Sequence, residues 1–114
     1  MPELPEVETV VRELSNEICG DSISSVEIFR TNPIVQGNVE TFQQQLIGRT
    51  FKHVNRRAKY LIFHLQPSVY MVAHMRMTGK FIVCDPMDLP SKYNRVWFHL
   101  KSGRLLIFDD VRCF

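Results

Sequence analysis

From residue 50 onward the chain breaks into short runs of β-branched and aromatic residues, each closed by turn-forming residues, and this rhythm constrains the fold more than any other feature. The runs cover 50–55, 59–65, 69–75, 80–84, 95–100 and 104–108. Between most of them stand Gln66-Pro67-Ser68, Thr78-Gly79, the stretch from Asp85-Pro86 to Pro90-Ser91, and Ser102-Gly103. A further strand is expected over 22–30, where Ile23, Val26, Ile28 and Phe29 precede the breaking pair Asn32-Pro33. Two segments have a helical period instead. Val7, Val10, Val11, Leu14 and Ile18 form one apolar stripe, with Pro5 suited to a first turn, Glu6 and Glu8 at the positive end of the dipole, and Gly20 as terminator, which predicts a helix over 5–19. Val39, Phe42 and Leu46, with Asn38 as cap and Gly48 as stop, predict a second over 39–47. The expected fold is α+β and mainly β: a two-layer β-sandwich of about eight strands flanked by two α-helices.

A length of 114 residues is that of one domain, and the 45% of apolar residues supplies a core, which excludes global disorder. The longest apolar run, 69–73, is five residues against the roughly 20 that span a bilayer, and no signal-peptide pattern opens the chain. The sequence reads as a soluble, cytoplasmic protein. Cys19, Cys84 and Cys113 are odd in number and irregularly spaced, so reduced thiols are expected; His53, His64, His74 and His99 are too far apart in sequence for a local ligand cluster. No metal and no cofactor is expected within this chain.

The net charge of +2 hides a division. Residues 1–27 hold seven acids against the single base Arg12, a net of −6, whereas the rest of the chain holds thirteen bases against five acids, a net of +8. The basic portion can face a polyanion or can simply be a solvated sheet face.

Three places carry possible chemistry. Met1-Pro2 is a start that aminopeptidases usually process, leaving a terminal proline amine. An α-amino group near pKa 8 is roughly 10% unprotonated at pH 7, far more than a lysine, and such an amine can attack an aldehyde-like carbon. Glu3 beside it and Glu6 one helical turn on can serve as acid or base. The same residues also make an ordinary chain start and an acid-rich first turn. In Arg56-Arg57-Ala58-Lys59-Tyr60, three cations adjoin an aromatic ring, a composition suited to phosphate. His74-Met75-Arg76-Met77 ends a strand with an imidazole, a guanidinium and two flexible apolar side chains.

Four blocks in order, Met1 through Val10 (MPELPEVETV), Arg56-Arg57-Ala58-Lys59-Tyr60-Leu61, His74-Met75-Arg76-Met77-Thr78-Gly79 and Asp110-Val111-Arg112, resemble the N-terminal domain of bacterial formamidopyrimidine-DNA glycosylases across essentially the whole chain. Leu4 distinguishes this branch from the endonuclease VIII proteins, which usually have a glycine in that block. The resemblance implies a bifunctional glycosylase and abasic-site lyase of base-excision repair, acting on oxidised purines such as 8-oxoguanine and formamidopyrimidines in damaged double-stranded DNA, as a monomer, with the nucleotide flipped from the stack. It implies Pro2 as nucleophile, Glu3 as general acid at the sugar, Lys59 in β-elimination and as a phosphate contact, Glu6 as an organiser of the site, and His74 as a backbone contact; Arg57 and Arg76 are further DNA-binding candidates. Met77, Arg112 and Phe114 would fill the place of the departed base. Family members run to about twice this length, with a helix–two-turn–helix domain and a four-cysteine zinc finger beyond the part matched here, so the chain is expected to be weak or inactive alone. It departs from the family at Lys92-Tyr93-Asn94-Arg95, where a histidine is common, and at Cys113, where a base is usual. The remaining alternatives are a non-enzymatic DNA-binding module of the same fold and an oxidised-pyrimidine glycosylase of the endonuclease VIII type.

Overall fold

The structure, a computed structural model, describes residues 4–29, 37–74, 79–88 and 94–110, with side chains from residue 8 onward. In chain order these form α1 (Leu4–Ile18), β1 (Ile23–Ile28), α2 (Val39–Leu46), β2 (Thr50–Arg57), β3 (Tyr60–Gln66), β4 (Val69–His74), β5 (Gly79–Cys84), β6 (Asn94–Leu100) and β7 (Leu105–Asp110). Both expected helices are present within one residue at each end. The described residues hold seven strands where about eight were expected.

The strands pair antiparallel throughout, in two sheets: β1-β6-β7-β5 and β2-β3-β4. Alternation makes each sheet two-sided. In β3 the burial runs exposed, buried, intermediate, buried, intermediate, buried, exposed, so Leu61, Phe63 and Leu65 point inward while Ile62 and His64 point out. Phe63 is fully buried, its ring 6.0 Å from Phe51 on its own sheet and 5.1 Å from Phe81 on the other, and Phe81 continues to Phe108 at 5.1 Å. These aromatic contacts join the two layers into one core.

α1 closes this core against β2 and β5, strands of different sheets, and buries Leu14 and Ile18 while Val10 and Val11 pack at the margin. Gly20 ends it at φ +92°, and its N–H donates to the Phe51 carbonyl at 2.8 Å; a Cβ there would meet nothing within 4 Å, so the left-handed backbone and not crowding demands glycine. α2 starts where Asn38 Oδ1 accepts from the Thr41 N–H at 2.9 Å, and it is tied to β1 by Gln43 Nε2 donating to the Val26 carbonyl at 2.8 Å.

Among the strand boundaries that differ from the sequence expectation, three bear on function. β2 runs two residues further, to Arg57, which takes Arg56 and Arg57 out of a loop and leaves Ala58-Lys59 as a two-residue hairpin turn. β5 begins at Gly79 and not after it: this glycine is buried and pairs with Asp110, so it is a strand residue and not a turn residue. β7 covers 105–110 where 104–108 was expected. Arg104 stays in the turn because its guanidinium reaches back to α1, donating to Glu17 Oε2 at 2.7 Å and to the Glu17 carbonyl, while Asp109 and Asp110 are drawn into the buried end of the strand.

Candidate functional site

The hairpin register puts the family's basic block at one end of the three-stranded sheet. Arg57 pairs with Tyr60, and Tyr60 pairs with His74, so these three form one cross-strand row, with Lys59 in the turn beside it. Tyr60 and His74 rings lie 5.3 Å apart at 53°, and Lys59 Nζ sits 5.7 Å from the centroid of the Tyr60 ring. Arg57, Lys59 and Tyr60 are exposed. The sequence places Arg57 and Lys59 in one block and His74 in another; the fold brings the two blocks together.

The turn itself is held under tension. Ala58 has a φ of +53°, a conformation costing an L-residue about 1–2 kcal/mol, and Arg56 Nη1 donates to its carbonyl at 2.9 Å. The same guanidinium donates through Nε to Glu8 Oε1 on α1 at 2.8 Å. One arginine therefore fixes the turn that carries Lys59 and ties it to the helix that opens with the glutamate-rich block.

Electrostatics favour an anionic partner at this end. No aspartate or glutamate occurs between residues 41 and 84, while Arg49, Lys52, Arg56, Arg57, Lys59, Arg76 and Lys80 do. The whole of β2-β3-β4 is thus free of carboxylates, and of its cations Arg56 alone is shown in an ion pair with an acid among the described residues.

A second element at the site was not anticipated. Asp109 and Asp110 are 1% and 2% exposed at the end of β7. Asn94 Nδ2 donates to Asp109 Oδ1 at 3.2 Å, its Oδ1 accepts from Trp97 Nε1 at 2.7 Å, and Arg95 Nε donates to the Asp110 carbonyl at 2.7 Å. Asn94 and Arg95 belong to the block that departs from the family pattern, and here they fix the strand end leading into 111–114. A signal existed: two acids directly after the apolar run Leu105-Leu106-Ile107-Phe108, too close to the core to be solvated without cost.

Pro2, Glu3, Arg76, Met77, Arg112 and Phe114 lie outside the described residues, as does the side chain of Glu6. Their described neighbours are Leu4 at the start of α1, His74 and Gly79, and Asp110, with Gly79 and Asp110 paired to one another. Among the described residues no three of His, Cys, Asp and Glu gather as a metal site requires, so a zinc ion has no ligand set among them. No helix among them is long and apolar enough to cross a membrane. Cys19 and Cys84 carry free thiols, and burial pushes both up from their ordinary value; at Cys84 the carboxylates of Asp85 and Asp88 add to the effect.

A family model described as the formamidopyrimidine-DNA glycosylase N-terminal domain matches residues 1–114. Formamidopyrimidine-DNA glycosylases of Desulforamulus reducens and Lactiplantibacillus plantarum are 47% and 41% identical over 100% of this chain, covering 42% and 41% of their own length. Among solved structures, the Lactococcus lactis Fpg in complex with Fapy-dG-containing DNA superposes with a TM-score of 0.89 at 36% identity over 98% of this chain, and the same protein with DNA containing an abasic site gives 0.90 at 35% over 99%. The chain spans about two-fifths of the length of these relatives. With the family model matched from the first residue to the last, and relatives aligned along the full chain, the protein belongs to the formamidopyrimidine-DNA glycosylase family through its N-terminal domain.

Proposed function

We propose that this chain supplies the catalytic half of a base-excision repair enzyme, a DNA glycosylase and abasic-site lyase for oxidised purines that works through an iminium (protonated Schiff base) on its N-terminal proline. The observation that carries the reading is the Arg56 bridge. The side chain that holds the Lys59 turn by the Ala58 carbonyl also binds Glu8 in the second turn of α1, so the turn and the helix that begins just after Pro2 and Glu3 are tied to one another. The acid-free sheet behind them suits a polyanion, and the Lactococcus lactis relatives of matching fold are bound to damaged DNA.

In this mechanism removal of Met1 frees the secondary amine of Pro2. The amine attacks C1′ of the damaged nucleotide, the bond from C1′ to the base breaks, and the base leaves with a proton. Glu3 protonates the ring oxygen O4′ as the sugar opens, and the nitrogen lone pair forms the C1′ iminium. A proton is then lost from C2′ and the 3′ phosphate departs, which breaks the strand. Lys59, on its anchored turn, serves this elimination and holds the phosphate, where a cation best stabilises the developing charge. Arg57, Arg76 and His74 hold the strand around the lesion. Met77, Arg112 and Phe114 fill the gap left by the flipped nucleotide, an apolar wedge combined with a cation able to hydrogen-bond the orphaned partner base. Glu6 organises the amine and its acid.

Borohydride reduction in the presence of an abasic-site duplex tests this. A chain beginning at Pro2 is expected to become covalently attached to the DNA, and Pro2→Gly or a chain retaining Met1 is expected to lose most of the adduct. A Pro2-initiated chain that binds the duplex without forming adduct would overturn the catalytic reading in favour of a DNA-binding module.

A further inference from the structure

The outward face of β2-β3-β4 continues well beyond the catalytic end. Three cross-strand rows cover it: Arg57–Tyr60–His74 beside the turn, Asn55–Ile62–Val72 in the middle, and His53–His64–Tyr70 at the far end. The far row lies four residues along β2 from Arg57, roughly 13 Å at the usual rise of a strand. Its rings make a continuous platform. His53 and His64 stack at 3.8 Å and 21°, and Tyr70 meets His64 edge-on at 4.8 Å. His64 is fixed in place by Nε2 donating to Asn55 Oδ1, whereas Tyr70 is 65% exposed and Val72 60%.

Next to this row the surface dips into a depression of about 780 Å³ whose wall includes Lys52, His53, His64, Gln66, Ser68 and Tyr70. Its polar groups are hydroxyls, an amide, two imidazoles and a cation, with no acid, and its apolar surface is the Tyr70 ring with Leu65 and Pro67. That pairing selects for ligands. A DNA duplex presents phosphates but keeps its base faces stacked, so rings add little to its binding. An unpaired nucleotide offers a flat base for the rings and a phosphate for the ammonium, which is the general design of single-strand surfaces. A protein partner matched to this face would have to bring acids to meet the excess positive charge.

We propose that the His53–His64–Tyr70 platform and its adjoining depression bind an unpaired nucleotide of single-stranded DNA, with Tyr70 as the stacking surface and Lys52 as the phosphate contact. The site is separate from the Lys59 end and does not depend on the catalytic reading. Burial, then the neighbouring His53 and Lys52, lowers the pKa of His64 below its ordinary value, which keeps the platform's central ring neutral and able to stack at neutral pH.

Fluorescence anisotropy of the full chain with a labelled oligo-dT single strand tests the proposal. Tyr70→Ala is expected to weaken binding at least about fivefold, the size of one lost base stack, while Tyr70→Phe retains it. Lys52→Ala is expected to weaken binding and to reduce the salt dependence by about one phosphate contact. Tyr70 is exposed, so these variants leave the core intact, and a thermal melt checks that each is folded. The proposal is overturned if the single strand is bound equally well by Tyr70→Ala, or if Tyr70→Phe loses as much as Tyr70→Ala. It is also overturned if sedimentation shows a dimer that Tyr70→Ala dissolves, which would assign the face to a second copy of the chain. Adduct formation with the abasic duplex should be unchanged in Tyr70→Ala, so failure here and failure of the catalytic reading are read by different assays.

Discussion

Arg56 Nε donates to Glu8 Oε1 at 2.8 Å, and through this pair a helix and a hairpin 48 residues apart in sequence are locked at one end of the sandwich. The side chains are 24% and 53% exposed, so the pair itself adds only about 0–1 kcal/mol to stability. Its value to function is geometric, since displacement of a catalytic group by about 1 Å can cost on the order of a hundredfold in rate. Arg56→Ala is therefore expected to lower the rate of adduct formation with an abasic duplex by at least about tenfold while moving the urea midpoint little. Arg56→Lys, which keeps the charge but cannot reach both Glu8 and the Ala58 carbonyl in one fork, should recover only part of the rate. A large stability loss with normal adduct formation would show the pair to be structural only.

Ala58 offers a second, independent probe of the same turn. Its φ of +53° costs an alanine energy that a glycine would avoid, but glycine gives back a similar amount in unfolded-chain entropy, so Ala58→Gly should change stability by less than about 1 kcal/mol. Ala58→Val, with a branched Cβ at the same φ, should lose more, about 1–2 kcal/mol. Chemical denaturation of the two variants side by side checks the contrast.

Much of this architecture is legible in the sequence because local signals agree with it. The stripe ending in Leu14 and Ile18 is the stripe that becomes buried, and Asn38 caps α2 as its side chain predicts. Even the ring platform is recoverable once the turn is known: counting back from Ala58-Lys59 with no bulge sets His53 opposite His64, a pairing invisible while the turn's length was unknown. At the end of β7 the sequence carried only an indirect signal, two acids directly after an apolar run, and a stronger local rule outweighed it. Two adjacent acids normally mark solvent, and what makes Asp109 a core residue is an amide fifteen positions away, on Asn94.

That dependence gives a stability prediction. Asn94→Ala removes a hydrogen-bond donor from a carboxylate that is 1% exposed, and it also strips the Trp97 indole N–H of its acceptor, so a cost of about 1–3 kcal/mol is expected. Asp109→Asn combined with Asn94→Ala should cost less than the single change plus its own effect, because the neutral amide no longer leaves a charge buried without its partner. A double-mutant cycle by urea denaturation measures the coupling, and additivity within about 0.3–0.5 kcal/mol would show that the two side chains act independently.

The His53–His64 stack predicts how stability responds to acid. The His64 pKa is lowered from its ordinary value of 6.5, first by burial and then by the neighbouring charges of His53 and Lys52 on β2; from β4 it is faced by the phenol of Tyr70, and within the sheet it donates to Asn55. The unfolded chain therefore takes up this proton at higher pH than the folded one does. The contribution to stability is complete above the unfolded value, declines as pH falls through 6.5 toward the lower folded value, and is flat below that. Urea midpoints taken from about pH 7.5 to about pH 5.5 should fall more steeply for the unaltered chain than for His64→Gln, and the two curves should run parallel above that range. Curves that stay parallel throughout would mean that the folded chain protonates His64 as readily as the unfolded one does.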